Sequence, residues 1–124
     1  MSKGVVANVI RRVLIVDDDD QVLGLIERWV REAGLEPVAC RTFEAARDCL
    51  AQHRPNVLLT DIRLDGMNGL YLVLLAQRLP NVSSIVMTAF DDPGLHKEAE
   101  HLNARYLVKP VTRDELVAAI SGGG

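Results

Sequence analysis

Val57-Leu58-Leu59-Thr60-Asp61 runs directly into Ile62-Arg63-Leu64-Asp65-Gly66-Met67-Asn68-Gly69, so a short apolar run ends in a carboxylate and then breaks into a turn-rich stretch. An apolar run of this length reads as a strand buried on both faces. Gly66, Asn68 and Gly69 read as loop. Open α/β sheets bind their ligands at the carboxyl ends of strands, and Asp61 stands at such an end. Taken alone, Asp61 reads equally well as a residue that caps the loop, a common use of Asp.

The same pattern recurs on either side. Val13-Leu14-Ile15-Val16 leads into Asp17-Asp18-Asp19-Asp20, Ser84-Ile85-Val86-Met87-Thr88 reads as a fourth strand ending in a small polar residue, and Arg105-Tyr106-Leu107-Val108-Lys109-Pro110 reads as a fifth strand. Residues 35–40 form a weaker strand, and Pro37 suits an edge position, where a missing N–H costs little. Helical spacing fills the gaps. Val22, Leu23, Ile26, Trp29, Val30 and Ala33 follow an Asp19 or Asp20 N-cap and stop at Gly34. Thr42 caps a second helix with Phe43, Ala46, Cys49 and Leu50 on its apolar face. A third runs from about Gly69 to Leu79 and is apolar nearly all round, which implies deep packing or cover by a partner. Asp91-Asp92-Pro93 opens a fourth, with Pro93 in its first turn. Thr112 and Glu115 have capping-box spacing at the start of a fifth, which ends at Ile120. Five βα units predict an α/β fold: a five-stranded parallel sheet, doubly wound, with helices on both faces.

A chain of 124 residues, 48% hydrophobic, suits one domain able to fold without disulfides. The net charge of −3 and the lack of any basic run argue against a nucleic-acid surface. Cys40 and Cys49 lack metal-ligand spacing and read as free thiols in a reducing cytoplasm. No apolar stretch approaches the roughly 18–20 residues that span a bilayer. The three histidines, His53, His96 and His101, read as exposed. Trp29 reads as core.

Parallel strands bring Asp17, Asp18, Asp61, Thr88 and Lys109 to one edge. Three adjacent carboxylates stay ionised only with a cation nearby, and Mg²⁺ (or Mn²⁺) is a hard ion that takes oxygen ligands. An ammonium, a hydroxyl donor and a carboxylate nucleophile complete the parts of a phosphoryl-transfer site.

Leu14-Ile15-Val16-Asp17-Asp18-Asp19, Thr60-Asp61-Ile62-Arg63-Leu64-Asp65-Gly66-Met67-Asn68-Gly69-Leu70, Met87-Thr88-Ala89 and Tyr106-Leu107-Val108-Lys109-Pro110 resemble, in order and spacing, the receiver domain of two-component response regulators. The resemblance implies a flavodoxin-like fold in which Asp61 is the phosphoacceptor. Asp17, Asp18, Asp61 and the backbone carbonyl of Arg63 would hold Mg²⁺. Thr88, Lys109 and the Ala89 amide would bind phosphoryl oxygens, Thr88 and Tyr106 would act as the switch, and Lys109-Pro110 would be a cis peptide. The implied phosphodonor is a histidine kinase, a phosphotransfer protein or a small phosphorylated molecule. The chain would catalyse only its own phosphorylation and dephosphorylation, so it is not an enzyme in the ordinary sense. Dimerisation through the fourth helix, fifth strand and fifth helix is likewise implied, as is a cytoplasmic location.

Two departures stand out. Asp65 occupies a position where that family usually has Pro, which predicts a looser loop, added repulsion near the metal, or a side chain simply turned to solvent. Leu102-Asn103-Ala104-Arg105 replaces the usual Gly-Ala pair before Tyr106. The expected organisation is an N-terminal extension at 1–11, the receiver at 12–121, and a glycine tail or linker start at 122–124, the receiver forming part of a longer regulator. The alternatives are a receiver-like scaffold that is never phosphorylated and a haloacid-dehalogenase-like phosphohydrolase. The second requires Asp-x-Asp-x-Thr/Val on the first strand, and Asp17-Asp18-Asp19-Asp20-Gln21 fails at its last position.

Overall fold

A computed structural model describes residues 11–122. The extension expected at 1–11 and the tail at 122–124 lie, except for Arg11 and Gly122, outside the described residues. The elements alternate as β1 (Arg12–Val16), α1 (Asp20–Glu32), β2 (Glu36–Cys40), α2 (Phe43–His53) and β3 (Val57–Asp61). A two-stranded ribbon follows, β4 (Arg63–Leu64) and β5 (Met67–Asn68), and then α3 (Leu70–Ala76), β6 (Ser83–Thr88), α4 (Pro93–His101), β7 (Arg105–Val108) and α5 (Arg113–Ser121).

β2, β1, β3, β6 and β7 form one parallel sheet in that order. β3 is buried at all five positions, as a central strand covered on both faces requires. Pro37 lies on β2, at the edge of the sheet, as expected. Alternate side chains along each strand serve opposite faces. Val13, Ile15, Val57, Leu59, Ile85 and Met87 pack with Leu23, Ile26 and Val30 of α1 and Leu116, Ala119 and Ile120 of α5. Leu14, Val16, Leu58 and Val86 pack with α2, α3 and α4. Trp29 is only partly buried against the α1–α5 side.

The caps follow the sequence. Asp19 accepts hydrogen bonds from the Gln21 and Val22 amides, Thr42 from the Ala45 amide, and Thr112 and Glu115 close the expected capping box. Asn103 ends α4 with φ 58°, the Ala104 amide reaching the Ala99 carbonyl and the Asn103 amide that of Glu100. This is the left-handed helix stop that glycine usually provides and Asn tolerates, so the missing Gly before Tyr106 is replaced in kind.

Two expectations are corrected. β7 ends at Val108, two residues before Pro110, and α3 is shorter than the stretch from Gly69 to Leu79. α3 buries Leu70, Leu72, Val73 and Ala76 and exposes Tyr71 and Leu74, so its all-round apolarity divides into a packed face and an open one.

The stretch after Asp61 is a hairpin rather than a loosened loop. Arg63 pairs with Asn68 and Leu64 with Met67, and between them Asp65 and Gly66 take φ 42° and 87°. Two central residues with positive φ match a type I′ turn, whose twist suits a hairpin. Proline, fixed near about −65°, has no access to this conformation, whereas Asp does. Asp65 is exposed and contributes to no carboxylate cluster among the described residues.

The ribbon returns the chain to Gly69, whose amide donates to the Ile62 carbonyl at 2.6 Å. A Cβ at Gly69 would lie 2.0 Å from the Asp61 carbonyl oxygen and 3.0 Å from Thr60 Oγ1. Gly69→Ala is therefore expected to lower stability by about 1–3 kcal/mol, the cost of overpacking against backbone. Gly24→Ala, inside α1 where a Cβ meets nothing within 4 Å, is expected to raise it by about 0.5–1 kcal/mol. Urea unfolding midpoints of the two variants check both signs.

Candidate metal and phosphoryl site

Sheet register decides which side chains meet. Val16 pairs with Thr60, so Asp17, one residue on, comes beside Asp61 at the end of β3. Thr88 pairs with Val108, so Lys109 leaves the sheet beside Thr88, its amide donating to the Thr88 carbonyl at 2.8 Å. The Lys109-Pro110 peptide is cis.

Asp17 is completely buried and Asp61 is 8% exposed. Lys109 Nζ donates to Asp17 Oδ2 at 2.7 Å and to Asp61 Oδ2 at 3.2 Å. The other oxygens meet backbone: Asp17 Oδ1 accepts from the Asp19 amide at 2.9 Å, and Asp61 Oδ1 from the Arg63 amide at 3.4 Å. Asp18 is exposed and completes the cluster, each of Asp17, Asp18 and Asp61 offering one oxygen within 4.8 Å of the others. Three carboxylates thus face one ammonium. A hard divalent cation matches this donor set in charge and in ligand type.

Burial pushes the Asp61 carboxyl above the usual carboxylate range; the Lys109 charge opposes that shift and the Asp17 charge adds to it. For Lys109, burial works to lower the pKa, but the Asp17 hydrogen bond and the charges of Asp61 and Asp17 outweigh it and hold the ammonium protonated above its ordinary value. Cys40 and Cys49 are free. Burial, followed by the neighbouring Cys49, pushes the Cys40 thiol up to about 11, and burial also raises Cys49. Both therefore stay protonated and weakly nucleophilic at neutral pH.

Thr88 is 1% exposed, and its hydroxyl is engaged with the chain two residues on, accepting from the Phe90 amide at 3.0 Å and donating to the Phe90 carbonyl at 3.1 Å. Asp61, Arg63, Thr88, Ala89 and Phe90 line a cleft of about 340 Å³. Across it the Arg63 guanidinium lies 5.0 Å from the centre of the Phe90 ring, within range of a cation–π attraction. Tyr106, half-buried on β7, points its hydroxyl to the start of α4, where Asp91 and Asp92 meet it. Asp17, Asp18, Asp61, Arg63, Thr88, Ala89 and Lys109 lie at this end of the sheet, while Tyr106 pairs with Val86 two residues back and reaches the β6–α4 loop through its hydroxyl. Phe90 was not expected there, since a single exposed aromatic after a strand carries no spacing signal.

A family model described as the response regulator receiver domain matches residues 13–121. The DNA-binding transcriptional regulator NtrC of Klebsiella pneumoniae is 41% identical over 111 residues, which is 86% of this chain and 23% of that protein. The transcriptional regulatory protein PrrA of Mycobacterium tuberculosis is 34% identical over 115 residues, 88% of this chain and 48% of that protein. The chain therefore spans less than half the length of either relative. Among solved structures, a CheY-like response regulator receiver domain protein from Methanospirillum hungatei superposes with a TM-score of 0.86 at 27% identity, covering 92% of this chain and 93% of that one.

The raised Asp61 pKa has a consequence for stability. The native state binds this proton more tightly than the unfolded chain, so stability falls as pH rises from the ordinary carboxylate value through the raised one, and stays lowered at neutral pH. Asp61→Asn abolishes that titration. In metal-free buffer at pH 7 its urea midpoint is expected above that of the wild type, with the gap narrowing as pH falls through the same window; a lower midpoint at pH 7 contradicts this account.

Proposed function

The chain belongs to the response regulator receiver domain family, and from that membership we propose that it is a phosphorylation-driven switch with Asp61 as phosphoacceptor. The supporting observation is the placement of a buried carboxylate within reach of both the Lys109 ammonium and two further carboxylates. In this reading an Asp61 oxygen attacks phosphorus, an O–P bond forms, and the bond to the phosphodonor breaks. The electron pair leaves with the imidazole nitrogen of a phosphohistidine or the carboxylate of an acyl phosphate.

Asp17, Asp18, Asp61 and the Arg63 carbonyl would hold Mg²⁺, which supplies charge neutralisation for the transferring oxygens. Lys109, bonded to both Asp17 and Asp61, contributes a second positive charge. The Thr88 hydroxyl and the Ala89 amide, both at the cleft, supply donors to phosphoryl oxygens. Phosphorylation of Asp61 replaces one buried carboxylate with a group carrying about −1.5 to −2 charges and three acceptor oxygens, if it resembles other phosphorylated side chains. A hydroxyl has one proton to donate, so Thr88 gives up the Phe90 carbonyl when it turns to the phosphoryl group. That exchange links chemistry at Asp61 to the β6–α4 loop and to Tyr106. Inversion of such a two-state equilibrium takes roughly 5.5 kcal/mol of differential stabilisation.

The phosphodonor is a sensor histidine kinase or a phosphotransfer protein, and the receiver, residues 12–121, forms part of a longer regulator in the cytoplasm. The same reading places a homodimer on α4, β7 and α5. No helix among the described residues is long and apolar enough to cross a membrane.

Incubation with Mg²⁺ and acetyl phosphate, followed by intact mass measurement, is expected to add one phosphoryl group to the wild type and none to Asp61→Asn. Mg²⁺ removal by chelation is expected to abolish the gain. Turnover of a phosphomonoester with no protein-bound phosphate would favour a phosphohydrolase instead, and no gain at all would favour a scaffold.

A further inference from the structure

The Tyr106 ring is held from two sides. It lies flat against the His96 ring, with centroids 4.4 Å apart and planes inclined by 4°. Its hydroxyl accepts from the Asp92 amide at 3.2 Å and donates to Asp91 Oδ1 at 3.2 Å, with the Asp92 carbonyl at 3.5 Å. These partners are themselves fixed. Asp92 is the N-cap of α4, its carboxylate accepting from the Gly94 and Leu95 amides, and His96 lies one turn into that helix, its amide bonded to the Asp92 carbonyl at 2.9 Å. His96 is exposed, so solvation alone gives it no reason to stack; the contact is made because the α4 N-terminus brings the two rings together.

We propose that His96 is a positioning residue that latches Tyr106 in its outward orientation and so sets how readily Asp61 chemistry reaches the α4–β7 surface. The inference rests on the reading of Thr88 and Tyr106 as the switch. Inward rotation of Tyr106 toward Thr88 breaks the His96 stack and both hydrogen bonds to the loop together. An aromatic pair of this kind biases an equilibrium by about two- to tenfold. A phosphoryl ligand that favours the inward state is weakened by the same factor, because only the unlatched fraction binds it at full strength. Asp91 and Asp92 contribute long hydrogen bonds, 3.2 Å or more, to the same resting state, whereas His96 contributes through its ring face. Ring area at position 96, rather than imidazole chemistry, is what the latch needs.

Beryllofluoride, a tetrahedral stand-in for a phosphoryl group on a carboxylate, gives a direct readout when titrated calorimetrically in the presence of Mg²⁺. His96→Ala is expected to tighten its binding by about two- to tenfold, and His96→Phe to remain within about twofold of the wild type because it keeps a stacking ring. In a Tyr106→Ala background, His96→Ala is expected to have no effect. Unchanged or weaker binding in His96→Ala overturns the latch, as does an effect that persists without Tyr106. Failure of the wild type to bind beryllofluoride overturns the phosphoacceptor reading itself, and the latch with it.

Discussion

One ammonium between two buried carboxylates is the interaction on which the rest of this structure depends. Lys109 Nζ touches Asp17 at 2.7 Å and Asp61 at 3.2 Å, and without it two acids with almost no solvent would repel each other at the centre of the sheet's carboxyl edge. A buried pair of this sort is not present for stability, since desolvation consumes much of the Coulomb gain. Its consequence is chemical. Burial raises the Asp61 carboxyl above the usual carboxylate range while the shared ammonium opposes that shift.

That arrangement is assembled by backbone, not by side-chain preference. Parallel pairing of β1 with β3 and of β6 with β7 fixes which strand ends are neighbours, and one step of register in either pair would part Asp17 from Asp61 or Lys109 from Thr88. Behind Asp61 the tight ribbon from Arg63 to Asn68 and the close approach of Gly69 hold β3 in place. In front of it, the loop after Thr88 is tied down by the Thr88 hydroxyl, by the Arg63 contact to Phe90 and, through Asp91 and Asp92, by Tyr106. Asp61 is thus backed by close backbone contacts, and the loop in front of it is held in part by the Thr88 hydroxyl.

Much of this was legible in the residues. Strands that end in Asp17, Asp61, Thr88 and Lys109 announce themselves by apolar runs, and a parallel sheet leaves those ends nowhere else to go. The caps at Thr42 and Thr112 were equally plain because their chemistry is local, and Asp19 was one of two candidates at the first helix. The ribbon after Asp61 was missed although Asp65-Gly66 is a hairpin dipeptide; two-residue strands have no periodicity to reveal them, and the surrounding glycines suggested loop. Asn103 looked like a defect because glycine is the usual left-handed residue, yet Asn serves. Phe90 and the stack of His96 on Tyr106 had no sequence signal, since they depend on how a helix start is aimed at a neighbouring strand.

The central claim is that the phosphoryl group is carried on Asp61 rather than on Asp17 or Asp18, which lie within the same cluster of oxygens. Borohydride reduces an acyl phosphate to the corresponding alcohol, so reduction of the phosphorylated protein followed by peptide mass spectrometry locates the modified carboxyl directly. Homoserine at position 61 alone is the predicted result. Homoserine at position 17 or 18, with residue 61 recovered as Asp, would contradict the account.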